Sequence, residues 1–246
     1  MIKYDYKTIQ SLQYIKYRNI YNKFIIEGKR ITESALDQNI KIGPVFCTDN
    51  FFKENRTWLK KILSEDILVK TIDTKTFAKM SSTKSPQGIL TTCDIPKHNH
   101  PNLKISKWIY LDKISDPGNM GTLIRSCAWF GIKNIALSPQ CVDPFNPKTV
   151  RAAMGAHFLV TIQKKIDLSI FTKTHKIIAA NLNGLSASTY IFSDKCVLVL
   201  SNEAHGISDQ YQNFIEDYIF IDKIGSGNSL NVSAAGSILM YLMMNN

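Results

Sequence analysis

The stretch that decides the fold is GNSLNVSAAGSILMYL, residues 227–242 of a 246-residue chain. Apolar residues recur in it at helical spacing: Val232, Ala235, Ile238, Leu239 and Leu242. Small hydrogen-bonding side chains stand at its start: Ser229, Asn231 and Ser233. One such residue suffices to cap a helix, whereas the free N–H groups of a first turn also suit ligand oxygens. We therefore predict a C-terminal helix whose first turn faces a binding site and whose remainder enters the core.

A second polar stretch, VLVLSNEAHGIS at residues 197–208, follows an apolar run that is typical of a buried strand. The run leads into Asn202 and Glu203, and Gly206 would let a ligand approach the backbone closely. Taken alone, this pattern fits an ordinary strand-to-helix turn equally well.

A third stretch, YLDKISDPGNMGTLIRSCAWFG at residues 110–131, has the same organisation. Asp116 can cap a helix there. If the helix begins after Asn119, that asparagine lies in the loop, and Arg125 about one turn on points to the same site. A capped helix with a surface arginine is the alternative.

Short apolar strands alternate with helical stretches through the second half of the chain, which favours a parallel sheet covered on both faces. The predicted strands are KWIYLD, NIALS, HFLVTI, KIIAA, CVLVL and YIFI. Ligands of such sheets bind outside the carboxyl ends of the strands, where the three polar stretches lie.

The first part of the chain predicts a small α/β unit. Residues 93–107 contain two prolines, two histidines and no periodicity, which is typical of a linker. Before them, helices are predicted over residues 27–38, 50–63 and 73–81, with strands between and after them. Basic residues of this part could form one face: Lys23, Lys29, Arg30, Lys60, Lys61, Lys79 and Lys84.

The composition is that of a globular protein, with 44% hydrophobic and 20% charged residues. The formal net charge of +10 makes RNA or DNA a plausible partner, although a lysine-rich composition alone gives the same total. No apolar run is long enough to span a bilayer and the N-terminus lacks the pattern of a signal peptide, so we expect a cytoplasmic protein. The five scattered cysteines indicate neither a disulfide framework nor a metal site.

Taken together and in this order, the three polar stretches resemble the motifs of the SpoU/TrmH family of SPOUT methyltransferases. Asn119 and Arg125 match the first motif, and SNEAHG at residues 201–206 matches the second. IDKIGSGNSLNVS at residues 221–233 matches the third, and its SLNVS string is highly specific. The resemblance covers residues 107–246, and the first part of the chain more weakly resembles the ribosomal-protein-like RNA-binding domain of many members.

The resemblance implies a fold and a reaction. The fold would be a small N-terminal α/β RNA substrate-binding domain (residues 1–94), a linker (95–104) and a parallel-sheet α/β SPOUT domain with a C-terminal trefoil knot (105–246). The reaction would be methyl transfer from S-adenosylmethionine to a ribose 2′-hydroxyl, in ribosomal RNA first and transfer RNA second. A homodimer is implied, with neither a metal nor a membrane.

The resemblance also implies roles for individual residues. Those expected to act on the substrate are Asn119, Arg125, Glu203, Ser229 and Asn231. Those expected to bind the cofactor are Leu200, Ser201, Asn202, Gly206, Ile221, Ile224 and Leu230. Because arginine is hard to deprotonate, Arg125 is expected to hold a phosphate and stabilise a developing alkoxide, with Glu203 orienting it. In family dimers this arginine can serve the neighbouring subunit.

Three residues depart from the family pattern. Ser201 and Ala204 stand where glycine is usual, and Asp222 stands where proline is usual. These departures keep open a non-catalytic RNA-binding or assembly protein on the same scaffold. A small-molecule α/β enzyme is a third possibility, against which the net charge counts.

Overall fold

The computed structural model describes residues 5–97, 100–202 and 206–245. The chain forms two compact units. Unit 1 comprises Met1–Lys97 and Phe145–Phe158, and unit 2 comprises His98–Pro144 and Leu159–Asn246.

Unit 1 is a four-stranded sheet with helices on both faces. In chain order its elements are α1 (Tyr6–Ser11), α2 (Ile15–Tyr21), β1 (Lys23–Glu27), α3 (Lys29–Asp37), β2 (Val45–Thr48), α4 (Asp49–Glu54), α5 (Arg56–Leu63), β3 (Val69–Ile72), α6 (Thr74–Met80), β4 (Ile89–Asp94) and α8 (Pro147–Ala153). The strand order is β1-β4-β2-β3, and only β2 and β3 pair in parallel.

Alternation along β1 divides the core of unit 1 between the two faces of its sheet. Phe24 and Ile26 pack with Val45 and Leu59 in one apolar cluster, whereas Ile25 packs with Phe77 in the other. This is the period of two that a strand imposes on its side chains.

The helix predicted over residues 50–63 is wrong as one element, because Asn55 interrupts it between α4 and α5. Asn55 lies at the junction with φ −119° and ψ 27°, and its side-chain amide donates to the carbonyl of Phe51 at 3.1 Å. Asparagine competes for backbone groups in this way and so interrupts helices. Asp73 caps α6 through the amide of Thr76, as predicted.

The segment Phe145–Phe158 packs into unit 1 although it lies far along the chain. Phe145 and Val150 belong to the same apolar cluster as Phe24, and the ring centroids of Phe24 and Phe145 are 5.0 Å apart. The segment consists of α8 and a short 3₁₀ helix, Ala156–Phe158. The strand predicted within HFLVTI therefore begins only at Thr161, because Phe158 packs in unit 1.

Unit 2 is a six-stranded sheet in which every pairing is parallel, as predicted. Its elements are β5 (Lys107–Asp112), α7 (Pro117–Trp129), β6 (Asn134–Leu137), β7 (Thr161–Lys164), a 3₁₀ helix (Leu168–Phe171), β8 (Lys176–Ser186), β9 (Cys196–Ser201), α9 (Asp209–Gln212), β10 (Asp217–Phe220) and α10 (Val232–Asn245). The strand order is β10-β8-β9-β5-β6-β7.

Helix α10 packs against α7 and β9 through small residues. A Cβ atom on Gly236 would lie 2.5 Å from Leu123 Cδ2 and 2.7 Å from Leu200 Cδ1, so a larger residue would force these side chains to shift. Ser126 and Ser237 join the two helices by a 2.7 Å hydrogen bond. Because Gly236 faces the core, Ile238 lies on the opposite side and is 41% exposed, which corrects its predicted place in the buried stripe.

Candidate active site

The candidate site lies at the carboxyl edge of the unit 2 sheet. Since β5, β9 and β10 run in parallel, their last residues, Asp112, Ser201 and Phe220, come to the same edge of the sheet. A cavity of about 500 Å³ opens at this edge, and its lining includes Lys113 and Ser208. This edge gathers the polar stretches that the sequence analysis selected.

The loop after β9 is tied to the end of β5. The amide of Asn202 donates to the carbonyl of Asp112 at 3.2 Å, and its side-chain amide donates to Ser115 Oγ at 3.1 Å. The amide of Gly206 donates back to the Asn202 carbonyl at 2.9 Å, with φ at +63°. That left-handed conformation is the reason why glycine suits position 206.

Asp112 fixes the far end of the same loop. Its carboxylate oxygen Oδ2 accepts hydrogen bonds from the amide and the hydroxyl of Ser208, each at 2.8 Å. Asp112 is fully buried. Sequence reasoning missed this pair, although a carboxylate that ends an apolar strand was a signal for a buried polar contact.

The polar start of α10 is joined to α7. Asn231 Nδ2 donates to Asn119 Oδ1 at 3.0 Å, while Asn231 Oδ1 accepts from the amide of Ser233 at 2.9 Å and from its hydroxyl at 2.5 Å. Asn231 therefore caps α10 and bridges to α7 at once. Ser229 lies before the helix and is exposed.

Asn119 is a helical residue, so the condition that α7 begins after it is not met. Asp116 caps α7 through the amide of Asn119 at 2.8 Å, and Pro117 is the first helical residue. Six residues in a continuous helix turn by about 240°, so Arg125 points away from Asn119. Arg125 is exposed, and its guanidinium has no hydrogen bond or ion pair with another described residue. One chain does not bring these two side chains together.

The loop before α10 offers backbone groups to a ligand. Residues 222–231 are all exposed, and the backbone N–H groups of residues 223–231 donate to no described residue. Ile221 is half-buried, while Ile224 and Leu230 are 101% and 50% exposed. Such donors, together with apolar side chains, fit S-adenosylmethionine, whose adenine, ribose and carboxylate accept hydrogen bonds.

Of the departures from the family pattern, Ser201 and Asp222 are described. Ser201 pairs with Asp112 in the sheet, and it is absent from the described residues with positive φ, so its Cβ is tolerated. Asp222 Oδ2 accepts from Ser186 Oγ at 2.6 Å. Hydrogen bonds from Ser186 and then Ser188 hold the pKa of Asp222 below its usual range. Glu203 and Ala204 lie outside the described residues.

The five cysteines lie mainly in the interior. Cys47, Cys93, Cys127 and Cys196 are buried and Cys141 is half-buried, all of them free. Burial raises the pKa of Cys47 to about 11 and that of Cys93 to about 12. Within the described part of the chain, no group of His, Cys, Asp or Glu could hold a metal ion, and no helix could cross a membrane.

Comparison with known families divides the chain as the motifs do. Residues 106–241 match the SpoU rRNA Methylase family, and residues 5–91 match the MRM3-like substrate binding domain. Together these matches account for most of the chain.

Individual relatives align over nearly the whole length of the chain. A Bacillus subtilis protein named 23S rRNA (guanosine(2553)-2′-O)-methyltransferase RlmP is 27% identical over 241 residues, which are 96% of this chain and 94% of that protein. A Porphyromonas gingivalis structure assigned to the TrmH family of RNA methyltransferases has a TM-score of 0.82 at 27% identity, with 99% and 98% of the chains covered. An AdoMet-bound rRNA methyltransferase from Sinorhizobium meliloti has a TM-score of 0.81 at 25% identity, with 97% and 93% covered. The matched family model, which spans more than half of the chain, confirms the resemblance drawn from the motifs: the chain belongs to the SpoU rRNA methylase family.

Proposed function

We propose that the protein transfers a methyl group from S-adenosylmethionine to a ribose 2′-hydroxyl of RNA, with ribosomal RNA as the substrate. The observation that carries the proposal is the bridge between Asn119 and Asn231, which joins two motifs at one strand edge. The name of the Bacillus subtilis relative, which specifies 23S rRNA, supports the choice of RNA.

The cofactor site in this proposal consists of the loops after β9 and β10. Bound S-adenosylmethionine supplies an electrophilic methyl group on a sulfonium. The residues proposed to hold it are Leu200, Ser201, Asn202, Gly206, Ile221, Ile224 and Leu230. Leu200 is buried beneath α10 and so supports the site, whereas Ile221, Ile224 and Leu230 belong to the more open loop after β10. The hydrogen bonds that hold the β9 loop would preorganise it for binding.

The amides of Asn119 and Asn231, with the hydroxyl of Ser229, are proposed to orient the ribose. Asn119 Oδ1 accepts a hydrogen bond from Asn231. The N–H groups on Asn119 Nδ2 therefore remain to donate to a substrate oxygen. Positioning of this kind is the main task of the protein when a cofactor carries the reactive group.

Arg125 is proposed to stabilise the alkoxide that develops as the 2′-hydroxyl reacts, with Glu203 orienting its guanidinium. Within one chain Arg125 points away from Asn119, so its target would be the site of a second subunit. The proposed homodimer interface is the exposed apolar face of α7 and α10. Its members are Trp129, Ile238, Tyr241 and Met244, which are 82%, 41%, 52% and 41% exposed. Trp129 lies four residues after Arg125 and so shares its side of α7.

The domain plan is part of the proposal. Residues 1–94 would bind the RNA substrate, residues 95–104 would link, and residues 105–246 would catalyse in the cytoplasm. The substrate-binding family model over residues 5–91 supports the first assignment. A trefoil knot in the C-terminal part is supported by the path of the chain, which leaves the central strand β9 for the edge strand β10 and then returns as α10 to pack on β9 and α7.

Isothermal titration with S-adenosylmethionine and S-adenosylhomocysteine tests the proposal first. We expect micromolar binding at one site per chain. Mapping of 2′-O-methyl groups in RNA from a deletion strain should then show one missing ribosomal RNA methylation. Absence of cofactor binding, with or without RNA, would overturn the enzyme and leave an RNA-binding protein on the same scaffold. A missing methyl group in transfer RNA instead would correct the substrate.

A further inference from the structure

The segment Phe145–Phe158 stands in unit 1 as firmly as the residues of the unit's own sheet. Phe145 is 5% exposed and Val150 is 2% exposed, and both pack in the core cluster that contains Phe24. The ring centroids of Phe145 and His157 are 5.6 Å apart, so the segment is also packed against itself. Its surface side chains are therefore presented by unit 1, although they are encoded between β6 and β7.

Helix α8 reaches the loop that precedes β4. Arg151 Nη1 donates to Ser82 Oγ at 3.2 Å, and both residues are exposed. Four residues later, a Cβ atom on Gly155 would lie 2.7 Å from Ser34 Oγ, which places this backbone directly against α3. The segment thus contacts both the 81–88 loop and α3.

These contacts place three elements that carry exposed cations next to one another. Arg30 lies one helical turn before Ser34 on the same side of α3. Lys84 follows Ser82 by two residues, and Lys148 precedes Arg151 by one turn of α8. All of these cations are exposed. The charged groups of Arg30, Lys84 and Lys148 have no hydrogen bond or ion pair with a described residue.

The nearby carboxylates have hydrogen-bond or ion-pair partners other than these cations. Glu27 accepts hydrogen bonds from Ser81 Oγ at 2.7 and 2.9 Å and from Thr83 Oγ1 at 3.2 Å, so it holds the loop in place. Glu33 lies 4.0 Å from the ammonium of Lys29. The four cations therefore face solvent, and the 81–88 loop that carries Lys84 is held in place by Glu27.

We propose that Arg30, Lys84, Lys148 and Arg151 form one composite basic surface that binds the phosphates of the RNA substrate. Half of its charge comes from α8, outside the N-terminal part of the chain. The proposal rests on the proposed function, which makes RNA the partner. Phosphate contacts position an RNA without reading its sequence, and each contact displaces counterions, so this surface predicts salt-dependent affinity.

The test uses the full chain, with unmodified 23S ribosomal RNA as the probe in filter-binding titrations over a range of salt concentrations. The double variant Lys148→Gln with Arg151→Gln should weaken RNA binding about 10-fold near 0.1 M salt and lower the salt slope by roughly 2. The matched control, Lys173→Gln with Lys195→Gln, removes two exposed cations of unit 2 and should bind as the wild type does. Unchanged RNA affinity and salt slope in the first variant would overturn the surface. A loss of binding to an acidic protein in that variant, with RNA binding unchanged, would overturn it as well.

Two further readouts separate a charge effect from misfolding and from failure of the proposed function. Arg151→Lys keeps the charge and should restore the salt slope, whereas Ser82→Ala should leave the slope unchanged because it removes only the hydroxyl partner. In the double variant Lys148→Gln with Arg151→Gln, cofactor affinity and kcat at saturating RNA should match the wild type, while KM for RNA rises. If neither the wild type nor any variant methylates RNA, but the salt slope of the double variant still falls by roughly 2, the surface stands and the proposed reaction fails.

Discussion

The carboxylate of Asp112 holds Ser208 by two hydrogen bonds to one oxygen, Oδ2, at 2.8 Å each. The carbonyl of Asp112 also accepts from the amide of Asn202. One residue at the end of β5 thereby fixes both ends of the loop that follows β9. The residue that holds these two ends is not among those proposed to bind the cofactor.

Asp112→Asn should therefore weaken cofactor binding. The variant removes the charge behind two buried hydrogen bonds, and such bonds contribute roughly 1.5–3 kcal/mol. We expect the dissociation constant of S-adenosylmethionine to rise about 10-fold, measured by isothermal titration. Ser208→Ala, which keeps the amide bond, should have a smaller effect. An unchanged dissociation constant in Asp112→Asn would show that the loop is held by other contacts.

The bridge between Asn119 and Asn231 can be measured by a double-mutant cycle. Asn231→Ala removes both the cap of α10 and the bridge, so we expect a loss of about 1–2 kcal/mol in the free energy of unfolding. Asn119→Ala removes the bridge alone and should cost less. Urea unfolding of the singles and the double variant should give a coupling of at least about 0.5 kcal/mol. Full additivity would mean that the two amides do not interact.

Arg125→Ala should retain cofactor binding and lose methyl transfer by roughly 100-fold or more, as expected for removal of a charge that stabilises the transition state. If Arg125 serves the neighbouring subunit, an inactive Arg125→Ala chain mixed with an inactive Asn231→Ala chain should regain activity, because one site in the mixed dimer is intact. Trp129→Ala should weaken the dimer in sedimentation experiments. Mixtures that stay inactive while mixed dimers form would place Arg125 at its own site.

Gly236→Ala should lower the free energy of unfolding by about 1 kcal/mol, because overpacking against the buried Leu123 and Leu200 exceeds the gain in helix propensity. Gly225→Ala is the matched control, since a Cβ atom there meets nothing within 4 Å. Thermal unfolding distinguishes the two. Equal melting temperatures for both variants would contradict the close packing of α10.

Acid should weaken an ion pair between β8 and β10. Lys176 Nζ lies 2.5 Å from Asp217 Oδ2, and Tyr190 donates to the same oxygen. Lys176 first, and Tyr190 next, lower the pKa of Asp217 below 3.8. A depressed pKa adds stability that is present above the unfolded value and lost as pH falls through the folded value. Between pH 5 and 2, the free energy of unfolding of the wild type, measured in urea, should fall by up to about 1 kcal/mol more than that of Asp217→Asn.

The sequence predicted the parallel sheet and the polar strand ends because both are local patterns. A buried parallel strand is a continuous apolar run, and the polar residues that follow it are visible in the same stretch of sequence. The contact between Asp112 and Ser208 was not predicted, because it joins positions that are far apart in the chain. Asp116 caps α7 as predicted, which places Asn119 inside the helix and not in the loop before it. Likewise, Gly236 was not expected in the core, since glycine carries no apolar signal.

The segment Phe145–Phe158 has a consequence for modularity. Residues 1–94 look like a cassette that recombination or an engineer could cut at the linker and attach elsewhere. Such a graft would arrive without Phe145 and Val150, and its Phe24 would lose the aromatic side chain that covers it. A transplantable unit must carry residues 145–158 as well, tethered in place by a new loop, so the borders of this domain in the gene are not its borders in space.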